Sequence, residues 1–512
     1  MLSGLIWIPI LGAVLIAFWP GTLIEKRSRL LAAILTTVTL VITIALGIQF
    51  DVSNISWQFG EQLPWIDALG LTYQLSVDGL SLPLVVLNSL LTLIAICSTD
   101  SSVNRPRLYY SLMLMLNAAV AGAFLAQNLL LFFIFYELEL IPLYLLIAIW
   151  GGARRGYAAT KFLLYTALSG VLVLAAFLGL TWLSGAYDFK YDPLLAQALP
   201  VAQQLILLAA LLIGFGIKIP LVPFHTWLPD AHVEASTPIS VLLAGVLLKL
   251  GTYGLLRFGL GLFPEAWQVL APWLATWAVL SVLYGALTAI AQKDMKKMVA
   301  YSSIGHMGYI LLAVAAATPL SIMGAVFQMI SHGLISALLF LLVGVVYQKA
   351  GSRDLDELQG LLNPERGLPL IGSMMVVGVM ASAGIPGMVG FISEFLIFRG
   401  GFPIFPVQTL LCMVGTGLTA VYFLLLVNRA FFGRLSPRAM NLPPVSWGDR
   451  VPAFILTVLV ALLGLQPGWL THWSETTTTA LTPQIPAITV GSAHPAVLSP
   501  PIRLQAFSSE EP

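Results

Sequence analysis

The stretch GFGIKIPLVPF, residues 214–224, decides the fold, because it ends an apolar segment that begins near residue 201. An apolar segment of about 20 residues spans a bilayer as a helix, whereas a membrane strand needs only about 10. Pro220 and Pro223 each remove a helix hydrogen bond, and both lie within five residues of Lys218. The sequence therefore predicts a transmembrane helix that breaks beside a lysine.

Apolar segments of similar length recur along the chain. The 512 residues are 58% hydrophobic and 9% charged, where soluble domains average about 25% charged, so a water-soluble fold is excluded. Helices satisfy their own backbone hydrogen bonds in lipid. We predict an all-α polytopic membrane protein of about fourteen transmembrane helices, at 3–20, 30–49, 80–98, 108–126, 129–150, 160–184, 201–224, 237–257, 266–291, 298–317, 320–347, 368–398, 405–431 and 451–471.

The basic residues between the segments are distributed unevenly. Eighteen lysines and arginines lie in the loops that follow odd-numbered segments, and the other side holds only Lys190, Arg257 and Arg399. Cytoplasmic loops carry the excess of basic residues, so we expect both termini on the non-cytoplasmic side. The acidic segment from Asp51 to Asp78 would form a loop on that outer face, and the last forty or so residues are predicted to form an irregular tail.

Composition also limits the cofactors and partners. The two cysteines, Cys97 and Cys412, lie in separate apolar segments and form no CxxC pair, so neither a disulfide framework nor an iron–sulfur or other metal site is indicated. The net charge of +1 does not point to a nucleic-acid partner. We expect no cofactor in this chain, and lipid around its apolar helices.

Two ionisable residues lie deep inside predicted spans. Lys249 is about twelve residues into the eighth segment, and Glu137 is eight residues into the fifth. An ionisable side chain at the middle of a membrane helix costs roughly 2.5 to 3.5 kcal/mol, so such residues are usually functional. The alternative is a buried ion pair, or a lysine bonded to a carbonyl, that only locks helices together.

The twelfth segment repeats the pattern of the seventh. Gly384, Pro386 and Gly387 interrupt an apolar run, and Glu394 follows. Interrupted helices beside charged residues mark ion sites in many transporters, and two of them about 170 residues apart suggest two structurally repeated halves of roughly five helices each.

Other polar side chains extend this set. His306 and His332 lie in segments ten and eleven, and an imidazole can take and give a proton at ordinary pH, although each could equally be a core histidine. Glu139 is two residues from Glu137 and so points to a different helix face, where it pairs across helices or approaches a loop.

Four polar residues follow the seventh segment at a spacing that resembles a metal site. A polar cluster that stabilises a loop explains them better than a metal does, because they follow Pro and Trp in a predicted loop. The four are His225, Asp230, His232 and Glu234.

Six motifs resemble the antiporter-like membrane subunits of respiratory complex I over about residues 75 to 430. Within that family, the first motif and its continuation to residue 168 resemble chain 4 of the NAD(P)H-quinone oxidoreductases of cyanobacteria and chloroplasts. Tyr136 departs from the tryptophan of many relatives. The motifs are YELELIPLYLLIAIWGG (136–152), KIPLVPFHTWLPDAHVEASTP (218–238), LLAGVLLKLGTYGL (242–255), AYSSIGHMGY (300–309), ISHGLISALLF (330–340) and PGMVGFISEF (386–395).

The resemblance implies inverted repeats of helices four to eight and nine to thirteen, with helices seven and twelve broken. The chain would then divide into 1–107 with helices one to three, 108–257 and 258–435 as the two antiporter-like halves, and 436–512 with helix fourteen and the tail.

It also implies roles for the buried charges. Glu137 would pair with Lys218, Lys249 would be the central lysine, and Glu394 would be the outlet residue of helix twelve. His306 and His332 would connect them, and together these residues would translocate protons.

The same resemblance implies an assembly and a location. The chain would be a subunit of a proton-translocating enzyme that takes electrons from NAD(P)H or ferredoxin and reduces plastoquinone, with iron–sulfur clusters in other subunits. Its partners would be the membrane and hydrophilic subunits of that complex. We expect it in the thylakoid membrane with lumenal termini, as the form for respiration and cyclic electron flow or as the copy specialised for CO2 uptake.

Two other interpretations remain open at the sequence level. A subunit of a multisubunit cation/proton antiporter would share the same helices and charges. A purely structural membrane subunit would use the same charges as inert ion pairs.

Overall fold

Helices form most of the described chain, which in this computed structural model comprises residues 1–19, 22–100, 102–365, 367–437, 440 and 442–482. The elements before residue 255 are α1 (Leu2–Phe18), α2 (Thr22–Gln49), β1 (Gln58–Ile66), β2 (Leu71–Val77), α3 (Ser81–Cys97), α4 (Pro106–Leu125), α5 (Leu129–Leu138), α6 (Leu140–Trp150), α7 (Arg155–Ser184), α8 (Pro193–Gln197), α9 (Val201–Lys218), α10 (Trp227–Glu234), α11 (Thr237–Leu242) and α12 (Leu248–Gly254). The later helices are α13 (Pro264–Ile290), α14 (Met295–Ala316), α15 (Pro319–Ala350), α16 (Pro369–Ser382), α17 (Val389–Gly401), α18 (Pro406–Ala430), α19 (Trp447–Leu465) and α20 (Gly468–Ala480).

The prediction of a helical membrane fold is confirmed. Among the described residues, eleven helices are long and apolar enough to cross a membrane. Three shorter apolar helices, α1, α3 and α16, coincide with the remaining predicted segments. The count of fourteen spans stays a prediction, as do the four divisions of the chain; the described residues belong to one unit, Met1–Thr482.

Both predicted helix breaks are present. The seventh segment is helical as α9 up to Lys218 and resumes as α10 only at Trp227, so the prolines do end the helix there. The twelfth segment is divided into α16 and α17, and Gly384 between them has a φ of +68° that favours glycine.

The fifth segment is also broken, which the sequence analysis did not predict. Helix α5 ends at Leu138 and α6 begins at Leu140, so that Glu139 occupies the joint. Pro142 accounts for the break, because it has no N–H to donate to the carbonyl of Leu138 and its ring crowds that carbonyl.

Two helical stretches lie at the centre of the protein. The stretch Thr237–Leu260 and helix α15 are almost wholly buried, whereas α2, α7, α18 and α19 expose one side. The central stretch is not a regular α-helix, since π-helical turns at Leu243–Leu247 and Leu255–Leu260 flank α12. Single π turns occur frequently at functional sites, and here they bracket Lys249.

Three sequence expectations were wrong in detail. The acidic segment after α2 is not only a loop, because β1 and β2 pair there as an antiparallel hairpin. The predicted irregular tail begins with α20, and its part from residue 483 onward lies outside the described residues. His225, Asp230, His232 and Glu234 do not lie in one loop, since the last three belong to α10.

Arg257 was counted as a loop residue, but the structure buries it in the second π-helical turn. Its Nη2 donates to Oδ2 of Asp78 at 2.5 Å, and its guanidinium carbon lies 4.3 Å from the ring centroid of Trp57. The other oxygen of Asp78 accepts the backbone N–H groups of Leu80 and Ser81 at the start of α3. This buried ion pair therefore joins the central helix to the outer hairpin and to α3.

Neutralising one member of this pair should destabilise the fold. Asp78→Asn leaves Arg257 buried without its counter-charge, which typically costs about 3–5 kcal/mol. We expect a lower midpoint in thermal unfolding of the detergent-solubilised protein. Asp67→Asn is the matched control, because Asp67 is an exposed acid of the same hairpin. Equal midpoints for the two variants would contradict this role of the pair.

Candidate functional site

Lys218 forms a buried ion pair, but with Glu139 rather than with Glu137. Its Nζ donates to Oε1 of Glu139, and both side chains are fully buried. The ammonium also lies 4.3 Å from the ring centroid of Tyr136, within the range of a cation–π contact. Tyr136 is fixed in turn, because its hydroxyl lies 2.8 Å from that of Ser169.

The expected pairing of Glu137 with Lys218 is therefore wrong in this structure. Glu137 lies two residues earlier, on α5, and its half-buried side chain points to Gly170 of α7. The physical reason is the two-residue spacing, which turns the two carboxylates to different faces, together with the break at Glu139. Oε1 of Glu137 and Oε2 of Glu139 have no hydrogen-bond partner within the described residues.

Lys249 lies at the centre of the protein and contacts one of the predicted histidines. Its Nζ donates to the carbonyl of Ala244 at 2.6 Å and lies 2.8 Å from Nδ1 of His332. Ala244 belongs to the first π-helical turn, five residues before the lysine. Both Lys249 and His332 are buried, so this contact is shielded from lipid.

The second histidine continues the series toward Glu394. The rings of His332 and His306 have centroids 5.7 Å apart, and Nδ1 of His306 lies 3.8 Å from Oε1 of Glu394. The other oxygen of Glu394 accepts a hydrogen bond from Thr416 at 2.9 Å, and Thr416 lies 3.1 Å from the hydroxyl of Tyr309. Four of the predicted site residues therefore form one continuous series: Lys249, His332, His306 and Glu394.

Three polar side chains beside this series were not predicted as site residues. Ser382 on α16 lies 3.0 Å from Nε2 of His306, and Gln328 on α15 lies 3.3 Å from its Nδ1. Ser393, which precedes Glu394, donates to Oε1 of Gln328 at 2.5 Å. Their signal in the sequence was weak, because a serine or glutamine inside an apolar helix can also bond locally to its own backbone.

The four residues that resembled a metal site take separate partners. Asp230 accepts from Lys161 at 2.8 Å, and Glu234 accepts the backbone N–H of Arg154 at 2.8 Å. His232 stacks on Phe340 with centroids 4.3 Å apart, and His225 packs against Tyr284. Within the described residues no three such side chains converge on a point that could hold a metal ion.

Helix α12 packs directly on the end of α9, so Lys218 and Lys249 belong to touching helices. Gly251 allows this approach, because a Cβ at that position would lie 2.8 Å from Cγ1 of Ile219 and 3.2 Å from Cβ of Lys218. Across the described part of the chain the two ammonium groups share no hydrogen-bond partner. The site therefore consists of an ion pair at α5, α6 and α9 and a longer polar series at the centre.

Comparison with known proteins gives a consistent picture. The family described as NADH:quinone oxidoreductase/Mrp antiporter, TM, matches residues 126–419. The NAD(P)H-quinone oxidoreductase chain 4 1 of Synechococcus sp. (strain JA-3-3Ab) is 41% identical over 497 residues, which cover 94% of this chain and 93% of that relative. Chain 4-2 of Synechocystis sp. (strain ATCC 27184 / PCC 6803 / Kazusa) is 45% identical over 400 residues, covering 77% of this chain and 71% of the relative.

Solved structures share the same architecture. A chain of respiratory complex I from Thermus thermophilus with bound NADH superposes with a TM-score of 0.85 at 26% identity, over 94% of this chain and 99% of that one. A chain of the Mrp complex from Dietzia sp. DQ12-45-1b gives a TM-score of 0.83 at 22% identity, over 94% and 97% of the two chains.

Crowding the contact between α9 and α12 should destabilise the site. Gly251→Ala adds a methyl group against Ile219, and overpacking of this kind costs about 1–3 kcal/mol. We expect a lower midpoint in thermal unfolding. Gly417→Ala is the matched control, because a Cβ at that position meets nothing within 4 Å. A midpoint for Gly251→Ala at or above that of the control would contradict the close approach.

Proposed function

The chain belongs to the NADH:quinone oxidoreductase/Mrp antiporter family and to its chain 4 group, and from this premise we propose how it moves protons. It is a proton-translocating membrane subunit of a complex I-like NAD(P)H-quinone oxidoreductase. Protons pass through buried Lys, Glu and His side chains, and the electrons remain in other subunits. The observation that carries this proposal is the series of neighbouring ionisable side chains from Lys249 to Glu394.

The chemistry of the series suits proton transfer. Lys249 and the imidazoles of His332 and His306 can each hold or release a proton, and Glu394 at the far end can accept one. Lys249 lies within hydrogen-bonding distance of His332, and His306 lies 3.8 Å from Glu394. The two imidazole rings have centroids 5.7 Å apart, so transfer between them would pass through water. Lys218 and Glu139 stand at the other side of α12, where opening the ion pair changes the charge that Lys249 faces.

Glu137 keeps a role in this proposal, although it does not bond Lys218 in the structure. Its carboxylate is half-buried at membrane depth and has one oxygen without a partner in the described chain. An ionisable group in that position is a candidate relay residue. We therefore propose seven residues as the translocation path. Glu139 joins the six from the sequence analysis, which are Glu137, Lys218, Lys249, His306, His332 and Glu394.

We also propose the setting of the subunit. Ion pairs among basic and acidic residues gather at one end of the helices, including Lys293 with Asp356 and Arg353 with Asp294. The lysines and arginines of these pairs belong to the basic loops on the side that holds eighteen of them, which supports a cytoplasmic location for that end and hence lumenal termini in a thylakoid membrane. Membrane and hydrophilic subunits of the complex would surround the chain together with lipid.

The redox groups are proposed to lie outside this chain. Cys97 and Cys412 belong to different helices, α3 and α18, which supports a subunit without an iron–sulfur cluster. Plastoquinone, ferredoxin or NAD(P)H and the clusters would bind other subunits. Relatives numbered 1, 2 and 3 match at 40–46% identity, and the proposal covers both the form for respiration and cyclic electron flow and the form for CO2 uptake.

Replacing the central lysine tests the relay. Lys249→Met keeps the volume of the side chain but removes its proton, so we expect proton uptake into inverted membrane vesicles to fall about tenfold or more. A buried charge in a membrane costs free energy, and the substitution removes that cost. This gain offsets the hydrogen bonds that Lys249 loses, so the complex should still assemble. Lys293→Met is the control, because Lys293 is exposed and pairs only at the surface. If the assembled Lys249→Met complex took up protons as fast as the wild type, Lys249 would have only a structural role.

Purification tests the assembly. Membranes solubilised in mild detergent should yield this chain in a large complex that reduces quinone when NAD(P)H or reduced ferredoxin is added. The antiporter interpretation expects instead an assembly without quinone reduction that exchanges Na⁺ for protons in vesicles. Recovery of the second kind of assembly would overturn the proposal.

A further inference from the structure

His306 on α14 is held through both of its ring nitrogens by the two halves of the broken twelfth segment. Its Nε2 lies 3.0 Å from the hydroxyl of Ser382, the last residue of α16. Its Nδ1 lies 3.3 Å from the amide nitrogen of Gln328, and the amide oxygen of Gln328 accepts a hydrogen bond from Ser393 of α17. All four side chains are buried, where polar groups normally need a hydrogen-bond partner.

The orientation of the Gln328 amide decides where the proton of a neutral His306 lies. Because the amide oxygen faces Ser393, the amide nitrogen faces the ring. An amide nitrogen can donate but not accept, so Nδ1 of His306 is the acceptor. The ring proton therefore lies on Nε2, where it can donate to the hydroxyl of Ser382.

We propose that Gln328 and Ser382 are positioning residues that select the tautomer of His306, an inference that rests on the proton-translocating function. In the described state they keep Nδ1 unprotonated, 3.8 Å from Oε1 of Glu394. When His306 takes up a proton at Nδ1, the Gln328 amide makes a half-turn and presents its oxygen to the new N–H. The imidazolium then gives that proton to the carboxylate of Glu394, and the ring returns to its first tautomer.

The serines around Gln328 allow its amide to take either orientation. The hydroxyl of Ser393 lies 2.5 Å from the amide oxygen, 2.8 Å from the carbonyl of Gly390 and 3.1 Å from the hydroxyl of Ser331. A hydroxyl can donate or accept. Before the half-turn Ser393 donates to the amide oxygen; after it, Ser393 accepts from the amide nitrogen and donates to Gly390. The amide therefore keeps a partner at both ends in both orientations.

A pair of variants at position 382 tests the role of the hydroxyl without a difference in volume. Ser382→Thr and Ser382→Val add side chains of nearly the same shape, but only threonine keeps a hydroxyl for Nε2 of His306. We expect proton uptake in vesicles, normalised to the assembled complex, to be about fivefold or more lower for Ser382→Val than for Ser382→Thr. Equal uptake by the two variants would overturn the role of Ser382.

Gln328→Met tests the amide, because methionine keeps the length of the side chain and removes its hydrogen-bonding groups. We expect normalised uptake to fall by about fivefold or more, since Nδ1 of His306 loses its donor. Gln348→Met is the matched control, because Gln348 is an exposed residue of the same helix, α15, and donates to the exposed Asp100. Uptake by Gln328→Met equal to that of the control would contradict the proposal.

The double variant Gln328→Met with Ser382→Val separates tautomer selection from two unrelated packing defects. Both residues act on one ring, so the double variant should lose little more uptake than the weaker of the two single variants. Independent defects would multiply their losses, and that result would overturn a shared action on His306.

The proposed function and the tautomer selection can fail separately. If Lys249→Met loses uptake while Gln328→Met and Ser382→Val do not, the relay stands and the tautomer selection is wrong. If Lys249→Met keeps wild-type uptake, the relay itself is wrong.

Discussion

Keeping ionisable groups out of lipid is the constraint on which the rest of this structure depends. A charge at the bilayer centre is costly unless protein surrounds it, and Lys249, Lys218 and Glu139 are each fully buried. The chain meets this requirement by enclosing the stretch Thr237–Leu260 within other helices. Irregular backbone follows the same rule, because broken and π-helical segments are tolerated at membrane depth only where protein covers them.

The irregular segments and the charged residues therefore occur together. Lys218 ends a broken helix, Glu139 sits in a joint, and Lys249 follows a π-helical turn whose Ala244 carbonyl accepts its ammonium hydrogen. In each case a distorted backbone frees a carbonyl or a side chain that a regular helix would hold. The same distortions give these side chains room to change partner, which a proton relay requires.

The sequence predicted the helices and most of the polar series because both leave one-dimensional signals. Long apolar segments indicate spans, prolines and glycines mark the breaks at Lys218 and Gly384, and an isolated lysine such as Lys249 is conspicuous in an apolar run. Choosing between Glu137 and Glu139 needed three dimensions. The choice depends on Pro142, three residues after Glu139, and on the faces that the break assigns to the two side chains.

Arg257 also shows what a pattern along the chain cannot predict, which is a contact between residues far apart in sequence. Its position after an apolar segment made it look like a loop residue, since a count of basic residues considers only their order along the chain. The structure pairs it with Asp78, 179 positions earlier, and no local pattern contains that contact. The β-hairpin was missed for a related reason, because the pairing of β1 with β2 includes register shifts between Gln58 and Glu61 and between Pro64 and Ile66.

Lys218 and Lys249 lie on touching helices but share no hydrogen-bond partner within the described chain, and this gap between them bears directly on mechanism. Helices α9 and α12 touch through Gly251, but the two ammonium groups bond in different directions, one to Glu139 and the other to Ala244 and His332. The partner of each lysine has a buried polar atom without a protein partner among the described residues: Oε2 of Glu139 beside Lys218, and Nε2 of His332 beside Lys249. Buried polar groups cost free energy unless they are hydrogen-bonded, so these atoms are the places where water can be held. Charge at Lys218 can thus influence Lys249 electrostatically when the pair with Glu139 opens, while protons cross the gap only when water joins the two sides.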